Sequence, residues 1–134
     1  MEIKNETQVK GKLVKFLKDN LKDAIIFRHE DQYTAGIPDI SLTDNGFTLW
    51  IEVKHVTPKK PFKSSGLQKH TAKQLEKQGK CIFIIFEESK EGHQFTFIVQ
   101  PKFIDQYVEG DTGCMSIVQG FDFQFILDYI RRIK

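Results

Sequence analysis

Ile40-Ser41-Leu42-Thr43-Asp44-Asn45-Gly46-Phe47-Thr48-Leu49-Trp50-Ile51-Glu52-Val53-Lys54 reads as two alternating runs joined by Asn-Gly. Both central residues of a type I′ turn need positive φ, and Asn-Gly satisfies that demand, so the segment predicts a β-hairpin. With Asn45 and Gly46 as the loop, Asp44 pairs with Phe47. Counting outwards, Asp39 then faces Glu52, and Lys54 follows on the same side of the strand. Directly opposed residues have Cβ atoms roughly 4.5–5.5 Å apart, and like charges there repel. Two facing carboxylates beside a lysine predict a divalent cation, because a hard ion such as Mg²⁺ takes oxygen ligands. Alternation also separates Ile40, Leu42, Leu49, Ile51 and Val53, a core face, from Asp39, Ser41, Thr43, Trp50, Glu52 and Lys54, a polar one.

Working outwards from the hairpin, Asn5 is a suitable N-cap with Gln8 three residues on. Val9, Leu13, Phe16, Leu17 and Leu21 then recur at helical spacing, which predicts a helix over about 6–20. Residues 24–28 read as a first strand, followed by a polar loop over 29–35. After the hairpin, residues 56–66 hold Pro58, Pro61 and three lysines, which predicts a mobile, exposed loop. A second helix runs over about 67–78 and stops at Gly79, a favourable C′ residue. The apolar run 80–86 suits a central strand covered on both faces. Strand, helix and strand at this spacing imply a right-handed crossover and a parallel pair. Residues 94–100 predict a fifth strand, Pro101 opens a helix through Val108, and Asp122 caps a last helix containing Phe125, Ile126, Tyr129, Ile130 and Ile133. The expected fold is a single α/β domain, a mixed central β-sheet flanked by helices in the order α-β-β-β-α-β-β-α-α.

The 134 residues suit one domain with a real core, and no apolar run approaches the ~20 residues of a membrane helix. The start of the chain is charged and polar. Cys81 and Cys114 are isolated, and the four histidines lack zinc-ligand spacing. These features predict a cytoplasmic protein with reduced thiols and no membrane partner. Net charge is only +2, yet residues 54–80 carry eight lysines against one acid, Glu76. Such a block next to a carboxylate pair fits a phosphate backbone, whereas on its own it would equally be a solvated face.

Pro38-Asp39, a spacer, then Glu52-Val53-Lys54 on a strand resembles the signature of the PD-(D/E)XK nuclease superfamily. The resemblance is strongest across residues 36–86. It includes Gly36-Ile37-Pro38-Asp39, Ile51-Glu52-Val53-Lys54 and a downstream Gln68 on a helix that leads into an apolar strand. Within the superfamily the pattern is similar to virus-type replication-repair nucleases and to small Holliday-junction resolvases of bacteria, archaea and phages. The loop before the second helix is short, and the long basic arm of some resolvases is missing. Glu-x-Lys alone carries no weight, because Glu2-Ile3-Lys4 and Glu88-Ser89-Lys90 match it too.

The resemblance implies a restriction-endonuclease-like core over about 5–100, with C-terminal helices over 101–134. It also implies a Mg²⁺-dependent endodeoxyribonuclease (Mn²⁺ serving as well) that leaves 5′-phosphate and 3′-hydroxyl ends. Asp39, Glu52 and the backbone carbonyl of Val53 are expected to hold the ion, with Glu6 acting directly or through water. Lys54 and Gln68 are expected to orient the attacking water or neutralise the transition state. For each residue a plainer role competes: a turn acid for Asp39, a salt bridge to Glu52 for Lys54, a first-turn acid for Glu6, a surface glutamine for Gln68. Lys59, Lys60, Lys63, Lys69 and Lys73 are candidate phosphate contacts. His29, Tyr33 and Trp50 could meet DNA or simply pack.

Branched DNA in recombination, repair or phage DNA processing is the expected substrate, in a bacterial, archaeal or phage-infected cell. Paired cuts would need a homodimer, since one chain has one site. The alternatives are a catalytically silent DNA-binding module with the same fold and a sequence-specific restriction enzyme, for which so short a chain offers no base-reading insertion.

Overall fold

The computed structural model describes residues 3–29, 36–78 and 80–133. Its six described strands form one mixed sheet in sequence order, β1 (Ile25–Arg28), β2 (Ile40–Asp44), β3 (Phe47–Val56), β4 (Lys80–Glu88), β5 (Gln94–Val99) and β6 (Ser116–Gln119). Only β3 and β4 run parallel, joined through helix α2 (Gly66–Gln78). Among the described residues no helix is long and apolar enough to cross a membrane.

The hairpin has the expected register. Asn45 and Gly46 take φ of 52° and 75°, and Asp44 pairs with Phe47, Leu42 with Leu49 and Ile40 with Ile51. Antiparallel β1 on β2 pairs Arg28 with Ile40, and the His29 N–H donates to the Asp39 carbonyl at 2.7 Å, which carries that ladder one residue further.

Helix α1 (Glu6–Asn20) begins at Asn5, whose side chain accepts the Gln8 N–H. Gln8 does not reach back to its own cap residue: its Oε1 accepts the Lys4 N–H at 2.6 Å, one residue further out. Val9, Leu13, Val14 and Leu17 bury against Ile40, Leu42, Leu49, Ile51 and Val53, together with helix α4 (Phe123–Ile133). Asp122 caps α4, its Oδ1 accepting the Phe125 N–H at 3.0 Å.

The other face of the hairpin is packed too, contrary to its expected polar character. Cys81, Phe83, Ile85, Phe97 and Val99 form a second core there with Ala72 of α2 and with Ile104 and Tyr107 of helix α3 (Ile104–Glu109), and Trp50 packs against it. The cause is β4, apolar on both sides, which demands cover above and below. Ser41 and Glu52 are therefore buried polar residues.

Three further expectations change. A sixth strand, β6, pairs with β5 where the sequence predicted loop: four residues, two half-exposed and two exposed, leave too little hydrophobic pattern to read. Strand β4 runs to Glu88, two residues beyond the apolar stretch, so one of the stray Glu-x-Lys matches starts on a strand end. The loop after β3 is tied down: Thr57 and Lys60 bridge each other, and the Phe62 ring sits 6.4 Å from Phe83 and 5.4 Å from Tyr107. Gly79 and Tyr33 lie outside the described residues.

Candidate active site

Asp39 immediately precedes β2, and its side chain is held from two directions. Oδ1 accepts Lys10 Nζ at 2.8 Å from α1, and Oδ2 accepts the Val53 N–H at 2.8 Å from β3. Glu52, only 3% exposed, brings its carboxyl against that of Asp39, and the two hydrogen-bond to each other. The hairpin register thus delivers the facing acids that the Asn45-Gly46 turn implied. Gly36 sets the approach to this corner. It has φ of +89°, and a Cβ there would come within 2.9 Å of Leu67 Cγ and 3.1 Å of Thr71 Oγ1 on α2. Only glycine fits both the backbone conformation and the close packing.

The two acids behave differently. Burial pushes the Glu52 carboxyl up to about 9, and the hydrogen bond and negative charge of Asp39 push the same way, against the attraction of Lys54 and Lys10. Burial also disfavours ionisation of Asp39. There, hydrogen bonds from Glu52, Lys10 and the Val53 N–H win, so its carboxyl lies below the usual carboxylate range. The pair therefore holds one proton and one negative charge, with Lys10 as the counter-charge.

Lys54 extends to Gln68, with Nζ 3.4 Å from Oε1. Gln68 has a structural duty as well. Its N–H donates to Ser65 Oγ at 3.0 Å, and its Oε1 accepts the Ser65 N–H at 3.2 Å, a capping box at the start of α2. Ser64 Oγ donates to the same oxygen at 3.1 Å. Glu6 approaches β3 from α1, but its Oε1 accepts the His55 N–H at 3.2 Å. Among the described residues no three His, Cys, Asp or Glu side chains cluster closely enough to hold a metal together, so Glu6 does not join Asp39 and Glu52 as a third carboxylate.

Glu6, Lys54, His55, Lys59, Lys60 and Lys63 line one open cleft of about 600 Å³, with Gln68 and Phe62 also on its wall. The expected phosphate contacts thus divide. Lys59, Lys60 and Lys63 face the cleft. Lys69 and Lys73 lie further along α2 and share Asp105, at 3.4 and 3.8 Å. His29 and Trp50 pack on each other, centroids 5.4 Å apart, and His29 Nε2 is 2.8 Å from Ser41 Oγ. Those contacts give both residues a packing role.

Sequence reasoning missed Lys10 and the Ser65–Gln68 box. Lys10 lies one helical turn after Glu6 on the same side of α1, a spacing that could have flagged it. Ser-x-x-Gln ahead of α2 was readable as a cap.

The donor set suits a hard divalent cation in kind: two buried carboxyls in contact, whose mutual repulsion a cation would relieve, with the rest of the shell left to backbone oxygen and water. It supplies two carboxylates rather than three.

No family model matches this chain, and no curated protein matches it. Among solved structures it is similar to Hjc, a Holliday junction resolvase from the archaeal hyperthermophile Archaeoglobus fulgidus. The TM-score is 0.49 and the sequences are 14% identical over 72% of this chain and 78% of that one.

Proposed function

We propose that this chain is a Mg²⁺-dependent DNA endonuclease of the PD-(D/E)XK type, acting on branched DNA in the manner of a junction resolvase. One observation carries the reading: a buried Asp39–Glu52 carboxyl pair lies beside Lys54, which itself lines, with Gln68, a cleft walled by Lys59, Lys60 and Lys63. Burying two acids together costs free energy, which a shared proton and Lys10 offset in the metal-free chain and a bound cation would offset directly.

In this reading Asp39, Glu52 and the Val53 carbonyl hold the cation, with Glu6 reaching it through water. When bound, Mg²⁺ supplies Lewis-acid polarisation of the phosphoryl oxygen and a more acidic water. Lys10 and the Val53 N–H keep the Asp39 carboxylate fixed and ionised. Lys54 places its ammonium where negative charge grows on the phosphoryl oxygens, and Gln68 fixes that ammonium. Lys59, Lys60 and Lys63 draw the backbone into the cleft, and Lys69 and Lys73 extend the contact along α2. Hydrolysis leaves a 5′-phosphate and a 3′-hydroxyl, and symmetric cutting of a junction calls for a homodimer.

One observation favours the silent DNA-binding module instead. Both Asp39 oxygens have partners from the chain itself, Lys10 Nζ and the Val53 N–H. Incubation with labelled four-way junction, flap, linear duplex and single-stranded DNA, in Mg²⁺ and in EDTA, decides between the readings. The nuclease reading expects Mg²⁺-dependent cutting of branched DNA, lost in Asp39→Asn and reduced by about 100-fold or more in Lys54→Ala. Binding without cutting in Mg²⁺ or Mn²⁺ would leave the silent module.

A further inference from the structure

At the opposite end of α2 from Gln68 lies a second cavity, of about 590 Å³, that the proposed chemistry does not use. Three separate elements deliver lysines to it: Lys73 and Lys77 from the last turns of α2, Lys80 from the first residue of β4, and Lys102 from the 3-10 turn (Pro101–Phe103) after β5. Tyr129 of α4 supplies an apolar wall. The acid present, Glu76, turns its Oε1 to the Lys102 backbone N–H at 3.2 Å, and Lys73 shares Asp105 with Lys69. Positive charge remains in excess.

The plain reading is helix-dipole complementarity, and it covers Lys77 in the last turn of α2. It does not reach Lys80 or Lys102, which are not on the helix. Four lysines around one concavity, offset only by Glu76 and by the Asp105 contact of Lys73, leave a net positive site that a polyanion would neutralise. Lys77, Lys80 and Lys102 are exposed, and Lys102 Nζ also lies over the Phe103 ring, 5.3 Å from its centroid.

Position makes the anion a polymer. Along the axis of α2, Gln68 and Lys77 are nine residues apart, about 14 Å of rise or roughly four base-pair steps of a duplex, and they project from opposite sides of the helix. Lys69 and Lys73 fill the interval on the same helix. We infer that this cavity is a second backbone-phosphate site, which grips the nucleic acid about four nucleotides from the phosphates held at the Lys54 cleft. The inference rests on the DNA reading above and adds a length requirement to it.

The test is fluorescence anisotropy in EDTA with duplexes carrying about four or about twelve base pairs beyond the branch point. It compares the wild-type chain with Lys77→Ala/Lys80→Ala/Lys102→Ala and with a control triple from α1 and its C-terminal flank, Lys12→Ala/Lys18→Ala/Lys22→Ala. All six lysines are exposed, and a thermal melt verifies that each variant folds.

The expected result is that the cavity triple binds the long-arm DNA about 10-fold more weakly, with a salt slope lower by about 2–3, and that its advantage for long arms over short ones disappears. The control triple keeps that advantage. Equal losses in both triples, or a cavity triple that still prefers long arms, would overturn the inference. In parallel, calorimetry measures inorganic tripolyphosphate binding to the same variants; its loss in the cavity triple with the arm preference intact would also overturn the inference, and would assign the cavity to a small anion. Arm-dependent binding without Mg²⁺-dependent cutting would keep this site while refuting the nuclease, and cutting with no arm dependence would do the reverse.

Discussion

Lys10 Nζ lies 2.8 Å from Asp39 Oδ1, with the two side chains only 14% and 18% exposed. The contact joins the first helix to the residue that opens the hairpin, across 29 positions of sequence. It supplies the cation that balances Asp39 when no metal is bound.

Removing Lys10 should therefore expose that dependence. Lys10→Met leaves the carboxylate poorly compensated, a loss of about 2–4 kcal/mol in EDTA. Saturating Mg²⁺ should restore most of it, since an ion bound only by the folded state stabilises that state by mass action. Denaturant unfolding in the two conditions measures the effect. An equal loss with and without Mg²⁺ would separate Lys10 from the ion site.

Glu52 sets the pH response of the metal-free protein. Its folded carboxyl lies at about 9 against an ordinary 4.5, so folding retains a proton that the unfolded chain has released across that window. The stabilising contribution is complete below about 4.5 and disappears as pH rises towards 9. Asp39, held low, acts in the opposite sense, and its contribution fades only as pH falls through the acid range. Melts in EDTA from about pH 5 to pH 9 should show declining stability, and Glu52→Gln should flatten the decline. The same slope in Glu52→Gln would place the titration elsewhere.

Phe62 anchors the lysine-bearing turn. Its ring meets Phe83 and Tyr107, and the Tyr107 hydroxyl donates to Glu87. Phe62→Ala should cost about 2 kcal/mol and weaken DNA binding more than Lys59→Ala does, because it releases three lysines together. Phe62→Leu should recover most of both. If Phe62→Ala lowers stability but leaves DNA affinity at the wild-type value, the turn does not present the lysines.

Gln68 serves the helix and Lys54 at once. Gln68→Ala should cost about 1 kcal/mol through the lost cap, and Gln68→Glu, which retains the capping-box chemistry, should restore stability to within a few tenths. Comparing unfolding free energies with cleavage rates for the two variants separates the roles. Full cleavage activity in Gln68→Ala would remove Gln68 from the catalytic set.

How much of this could be read in the chain follows from the range of each signal. The Asn45-Gly46 turn fixes register locally, so the Asp39–Glu52 juxtaposition was legible from residues fifteen or fewer apart. Both faces of β4 were legible as well, because a strand without polar residues cannot lie open to water. For Lys10 only the side of α1 was legible, from its spacing to Glu6, since its partner is set by the tertiary packing of α1 on the sheet. Phe62 sits among lysines and prolines in a segment whose composition says loop, and only the depth of Phe83 and Tyr107 shows why an aromatic stands there. β6 gains its place from β5 rather than from its own four residues, two of which are half-exposed.

Titration of Mg²⁺ into the metal-free chain by calorimetry, in buffers of different ionisation enthalpy at pH 7, tests the shared ion site most directly. The account expects one ion per chain and release of close to one proton as Glu52 ionises. It also expects an affinity about 100-fold weaker in both Asp39→Asn and Glu52→Gln. Binding that proceeds unchanged in those two variants, or no binding of Mg²⁺ or Mn²⁺ to the wild-type chain, would contradict it.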